Sequence, residues 1–134
     1  MDAKLTPPVR VISRLDTKSN KVIKGIHLEG WRIVGDADSL CKKYYDQGAD
    51  EILLIDAVAS LYNREKLIQI VKKSAENLFI PLTVGGGIKN IWDAEELFKS
   101  GADKITINSA IVSNPNLIEE ISKNFGSQSL VISI

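Results

Sequence analysis

The sequence predicts a parallel α/β fold, and three observations predict it. Short runs made almost entirely of Val, Ile and Leu recur along the chain, as buried parallel strands require. Amphipathic stretches of helical period alternate with them. A Gly-Ala-Asp triplet stands before one such run at Gly48-Ala49-Asp50 and before another at Gly101-Ala102-Asp103, 53 positions later (101 − 48), as expected of a repeated βαβα block. Four βα units and a fifth strand amount to half a barrel or a small open sheet, and residues 1–134 read as a single domain.

The elements follow in order. Val9 to Leu15 is a largely apolar strand, closed by a polar turn at Lys18-Ser19-Asn20 and followed by a second extended stretch, Val22 to Leu28, as in a hairpin-like excursion. Asp36 or Asp38 caps a helix running to about Gln47, with Leu40, Cys41, Tyr44 and Tyr45 on its apolar face and Gly48 as its stop. Glu51 to Ile55 is a buried-type strand, Arg64 to Asn77 a helix, and Leu78 to Val84 a strand running into Gly85-Gly86-Gly87. Asp93 to Ser100 is helical and Lys104 to Ile107 a strand. Pro115 to Asn124 is a helix with proline in its first turn, and Leu130 to Ile134 begins a fifth strand.

Composition removes several function classes. With 44% apolar and 25% charged residues the chain can bury a core, and 17 basic against 17 acidic residues leave no long-range pull toward nucleic acid or an anionic membrane. No segment approaches the roughly 18 apolar residues of a membrane span, and the start has no apolar stretch of signal-peptide length. Cys41 has no disulfide partner and no cysteine-rich neighbourhood for zinc, so no metal is expected and the cytoplasm is the natural compartment. His27, Trp31 and Trp92 read as surface or packing residues rather than as catalytic ones.

Alternation along the strands gathers the polar residues of interest. Arg10, Ile12, Arg14 and Asp16 share one face, as do Glu51, Leu53 and Ile55, and Lys104, Thr106 and Asn108. If these faces line a barrel, Arg10, Glu51 and Lys104 meet at the strand N-terminal end, while Asp16 and Asn108 lie at the C-terminal end, where barrels place catalysis. Asp16 closes an apolar strand, where burial by barrel walls suits a carboxyl to acid–base work; it also has the plain reading of a turn-forming aspartate. Gly86 and Gly87 leave backbone N–H groups uncovered for a phosphate, although a glycine-rich stretch can equally be only a tight turn. Asn108 and Ser109, at the end of the next strand, add an amide and a hydroxyl. Arg10, Glu51 and Lys104 have the alternative of being solvent-facing charges at strand starts.

Taken together, Arg14-Leu15-Asp16, Val22-Ile23-Lys24-Gly25, Gly48-Ala49-Asp50-Glu51, Phe79-Ile80-Pro81-Leu82-Thr83-Val84-Gly85-Gly86-Gly87-Ile88 and Gly101-Ala102-Asp103-Lys104 with Ile107-Asn108-Ser109 resemble the cyclase subunit family of imidazole glycerol phosphate synthase, from about Val9 to Ile134. The resemblance implies a (β/α)8, or TIM, barrel of which this chain is the N-terminal half. It implies a heterodimer in which a glutaminase subunit supplies ammonia. That ammonia acts on N′-phosphoribulosyl-formimino-aminoimidazole carboxamide ribotide, giving imidazole glycerol phosphate for histidine synthesis and AICAR. By position, the resemblance makes Asp16 the first catalytic aspartate, Lys24 a loop lysine near the active site, and Gly86, Gly87, Asn108 and Ser109 a phosphate site. It makes Arg10, Glu51 and Lys104 three of four residues guarding the ammonia entrance, and Asp103 an interface residue toward the glutaminase. No cofactor is implied.

Three departures from the family pattern bear on function. Arg14 replaces a small residue and brings a guanidinium to the inward face near Asp16, either narrowing the channel or acting on that carboxyl. Gly25-Ile26-His27-Leu28-Glu29-Gly30-Trp31-Arg32 with Ala59-Ser60-Leu61-Tyr62 is similar to divergent cyclase paralogues, some encoded with surface-polysaccharide genes. The chain stops at Ile134, one position before the family's second catalytic acid, so a half-barrel is expected to pair with a complementary half or with itself. The alternatives are an ammonia-using paralogue, the sister isomerase with the same phosphate loops and no ammonia gate, and a non-catalytic phosphate-binding half-barrel.

Overall fold

A computed structural model describes residues 8–26, 30–58 and 64–134. Its strands are β1 (Ile12–Lys18), β2 (Lys21–Ile26), β3 (Gly30–Asp36), β4 (Glu51–Asp56), β5 (Leu82–Gly85), β6 (Lys104–Ile107) and β7 (Leu130–Ile132). Its helices are α1 (Ala37–Asp46), α2 (Arg64–Ala75), α3 (Ile91–Ser100), α4 (Ser109–Ser113) and α5 (Asn116–Phe125). One sheet holds all seven strands in the order β3-β2-β1-β4-β5-β6-β7. Pairing is parallel from β1 through β4, β5 and β6 to β7, and antiparallel in the β1-β2-β3 extension.

This order decides between the two architectures left open by the sequence. Each parallel strand lies beside the next parallel strand along the chain, with no reversal of order, and α1, α2, α3 and α5 pack each on the next. A doubly wound sheet would reverse its order and carry helices on both faces. The fold is that of the TIM-barrel class, here four βα units and a fifth strand.

The helix-covered face is the core. Leu15, Ile52, Leu54, Leu82, Val84, Ile105 and Ile107 point into it and are met by Cys41, Leu67, Val71, Ala94, Leu97, Leu117 and Ile121, all buried. Burial pushes the Cys41 thiol up to about 11, so it is a packing residue and not a nucleophile. The other parity carries Arg14, Asp16, Glu51, Leu53, Ile55, Thr83, Lys104 and Thr106. Register sets Arg14 beside Leu53, Leu53 beside Thr83 and Thr83 beside Lys104.

Several boundaries move for physical reasons. The first strand begins at Ile12 rather than Val9, because Val11 N–H donates to the Asp50 side chain at 2.6 Å and its carbonyl accepts from Asp50 N–H at 2.9 Å. It runs on to Lys18 because β2 folds back on it through a turn in which Ser19 has φ 55°. The strand expected over Leu78 to Val84 is reduced to Leu82–Gly85, since Pro81 has no N–H to offer the ladder. The excursion returns as β3, whose mostly exposed residues show none of the alternation that marks a strand; Leu28 lies outside the described residues. The five-residue α4 is too short to show a period. Asp36 stands at the α1 N-cap, but its carboxylate pairs with Lys21 instead of capping, and Asp38 pairs with Lys73 at 3.0 Å. Pro115 is the residue before α5 rather than within its first turn.

The 53-residue repeat is reproduced bond for bond. Gly48 (φ 95°) and Gly101 (φ 118°) end α1 and α3 in the left-handed region, where a side chain would be strained. Ala49 N–H reaches back to Tyr44 O at 3.0 Å, and Ala102 N–H to Leu97 O at 3.1 Å. Asp103 then repeats what Asp50 does, accepting from Leu82 N–H at 2.8 Å and donating its own N–H to Leu82 O at 2.8 Å.

Candidate active site

The uncovered face of the sheet carries chemistry at both ends. At the strand N-termini, Glu51 and Lys104 open β4 and β6 as equivalent positions of the repeat, and Arg10 precedes β1. Their side chains meet. Arg10 Nη1 pairs with Glu51 Oε1, and Lys104 Nζ lies 3.4 Å from the same oxygen. The Glu51 side chain is only 5% exposed, so its charge is held in place by two cations and not by water. The strand-start alternative of three separate solvated charges is excluded for Glu51.

At the opposite end a cleft of about 550 Å³ opens beyond β5 and β6, lined by Gly86, Gly87, Asn108 and Ser109. Gly86 (φ 111°) and Gly87 (φ 67°) take up left-handed conformations that a side chain would strain. Among the described residues their N–H groups donate to no backbone carbonyl. A Cβ on Gly85 would lie 2.9 Å from Ile55 Cδ1 and 3.1 Å from Thr106 O, so β5 can approach its neighbours only because it ends in glycine. Four residues chosen from the sequence as anion donors thus line one space, with Leu53 and Ile55 as apolar walls.

Asp16 and Lys24 are not among the residues that line this cleft. Asp16 lies near the end of the parallel part of β1, beside Ile55. Its carboxylate is 41% exposed and accepts from Arg14 Nε at 3.1 Å, so the enclosed setting expected for it is absent among the described residues. The reason is that the face it shares is covered by no element described here. Lys24 is exposed on β2, beside Arg32 of β3. Asp103 is exposed, with one carboxylate oxygen engaged by Leu82 N–H.

Sequence reading did not single out Thr106, Ser113 and Asn114, which line the cleft from β6, from the end of α4 and from the residue after it; α4 is a helix without a sequence signal. Asp56 ends β4 as a buried carboxyl that accepts from Val58 N–H at 3.0 Å, and burial pushes its pKa up. An acid closing an apolar strand was the signal that singled out Asp16, and it was equally present here. Among the described residues no group of three His, Cys, Asp or Glu side chains could hold a metal, and no helix is long and apolar enough to cross a membrane.

Comparison with known proteins supplies the family. A family model described as "Histidine biosynthesis protein" matches residues 10–134. A Legionella pneumophila protein named imidazole glycerol phosphate synthase subunit HisF is 56% identical over 126 residues, covering 94% of this chain and 59% of that protein. Its namesake from Dictyoglomus turgidum is 50% identical over 125 residues, covering 93% of this chain and 50% of that protein. The chain spans about half the length of the curated relatives it matches. With a family match across nearly its whole length, the chain belongs to the histidine biosynthesis protein family.

Proposed function

We propose that the whole protein is the cyclase subunit of an imidazole glycerol phosphate synthase and that residues 1–134 form the N-terminal half of its barrel. It uses ammonia from a glutaminase subunit on the phosphoribulosyl-formimino ribotide, yielding imidazole glycerol phosphate and AICAR, in the cytoplasm. The observation that carries the reading is the buried Glu51 held between Arg10 and Lys104, on the same sheet face as the phosphate cleft and at its opposite end. An isomerase that handles only phosphorylated sugar chemistry has no use for such a cluster. A protein that admits a neutral amine through the barrel floor does, because ammonia must stay away from bulk water and protons.

In this mechanism Gly86, Gly87, Asn108 and Ser109 bind one substrate phosphate with neutral donors, which fixes the reacting end over the barrel axis. Asp16 carries a proton to or from the substrate, Lys24 contacts substrate from the β2-β3 arm, and Asp103 faces the glutaminase. In the whole protein, Asp16→Asn is expected to lower turnover by at least about a hundredfold with the fold intact. Unchanged turnover of that variant, measured with ammonia supplied directly, would remove Asp16 from this role, and absence of ammonia-dependent turnover in the wild type would remove the cyclase reading. Recovery of a glutaminase subunit with the tagged whole protein separates the cyclase from the isomerase, which should recover none.

A further inference from the structure

We propose that Arg14 is a specificity-determining anion contact of this site. Its guanidinium keeps one edge on Asp16 and with the other takes a negatively charged substrate group, phosphate or carboxylate, held against the Gly86-Gly87 turn. The inference rests on the reading of the cleft as the substrate site and deepens it.

β1 delivers Arg14 to the uncovered face beside Leu53, and the side chain lines the same cleft as Gly86, Gly87, Asn108 and Ser109. Its bonds leave it incompletely used. Arg14 Nε and Nη2 both approach a single oxygen of Asp16, Oδ1, at 3.1 Å, so the pair is not the two-oxygen fork that fills one edge of a guanidinium. Among the described residues Nη1 makes no ion pair. The Arg14 side chain is 60% exposed, and an ion pair this open contributes little to stability. Packing therefore does not account for an arginine among Leu53, Ile55 and Thr106.

The surroundings select the charge of the partner. Among the described residues no acid lines the cleft, and its cations are Arg14, paired on one edge with Asp16, and Lys89. A concave space with apolar walls and one sign of charge concentrates the opposite sign. A planar guanidinium also discriminates by shape, since it meets phosphate or carboxylate through two parallel N–H groups, as a lysine cannot. Because the same guanidinium holds Asp16, an anion bound to it fixes the reacting carboxylate and the substrate relative to each other.

The test uses the whole protein, wild type, Arg14→Ala and Arg14→Lys, with folding checked by circular dichroism. Inorganic phosphate is titrated in one arm and succinate in the other, by calorimetry. Arg14→Ala is expected to weaken the bound anion on the order of tenfold, with Arg14→Lys recovering only part of the loss. The arm that responds tells whether the group is a phosphate or a carboxylate. With substrate, Arg14→Ala should raise KM more than it lowers kcat. Equal affinity of wild type and folded Arg14→Ala for both anions, or a wild type that binds neither, overturns the proposal. Since binding is read without turnover, a whole protein that shows no ammonia-dependent turnover of the ribotide would defeat the cyclase reading while leaving the Arg14 result standing.

Discussion

At the scale of single residues, two carboxyls respond to pH in opposite senses. Lys21 donates a hydrogen bond to Asp36 and, through it and its charge, holds that carboxyl below the ordinary range. The contribution is in place above the unfolded value and is lost as pH falls through the folded one. Asp56 is the reverse, because burial raises its pKa and the folded state prefers it protonated. Its penalty is absent in acid and grows as pH rises from about 4 through the raised folded value. Asp56→Asn keeps an oxygen for Val58 N–H while removing the charge. The variant is therefore expected to gain stability over wild type as pH climbs through that window, read from urea midpoints at pH 3 to 7. A difference that stays flat with pH would show that Asp56 titrates as an ordinary surface group.

At the scale of elements, Asp50 and Asp103 are equivalent links between a helix end and a preceding strand, yet they should not matter equally. Leu82, whose N–H Asp103 binds, is 1% exposed; Val11, bound by Asp50, is 62% exposed. Water can replace the lost acceptor at Val11 and not at Leu82. Asp103→Ala is expected to cost about 2 kcal/mol and Asp50→Ala less than about 1 kcal/mol by chemical unfolding. Equal losses would mean that burial of the donor does not govern the link. The same pair shows what the sequence could reveal. The Gly-Ala-Asp repeat was visible as a pattern and its parity grouped Arg10, Glu51 and Lys104 correctly, because strand alternation and helix stops are local rules. The bonds of Asp50 and Asp103 were not legible, since they join residues 39 and 21 positions apart. Likewise β3 is defined by its ladder to β2 rather than by its own exposed side chains, and α4 is shorter than the window in which a period can be read.

At the scale of the molecule, the parallel body and the antiparallel arm are held very differently. β4 lies between β1 and β5, and Ile52 and Leu54 are fully buried under the helices. β2 and β3 pair with each other from Lys21–Asp36 to Ile26–Gly30, but β2 meets β1 only at Thr17–Val22 and Lys18–Lys21. Trp31, Ile33 and Val34 of β3 are exposed, so the outer arm has little buried apolar area to resist opening. Lys18 Nζ, 4.4 Å from the centre of the Trp31 ring, adds a cation–π contact of about 0.5–1 kcal/mol. The arm that carries Lys24 should therefore open without unfolding the body that carries the cleft. In hydrogen exchange on the whole protein, amides of Ile23, Lys24 and Arg32 are expected to exchange at least about a hundredfold faster than those of Ile52, Leu54 and Ile105. Removing the ring contact by Trp31→Ala should widen the gap by speeding the arm alone. Protection of the arm equal to that of β4 would instead make the two a single cooperative unit. Lys24 would then be fixed relative to the Gly86-Gly87 turn, and substrate would have to reach a site already assembled.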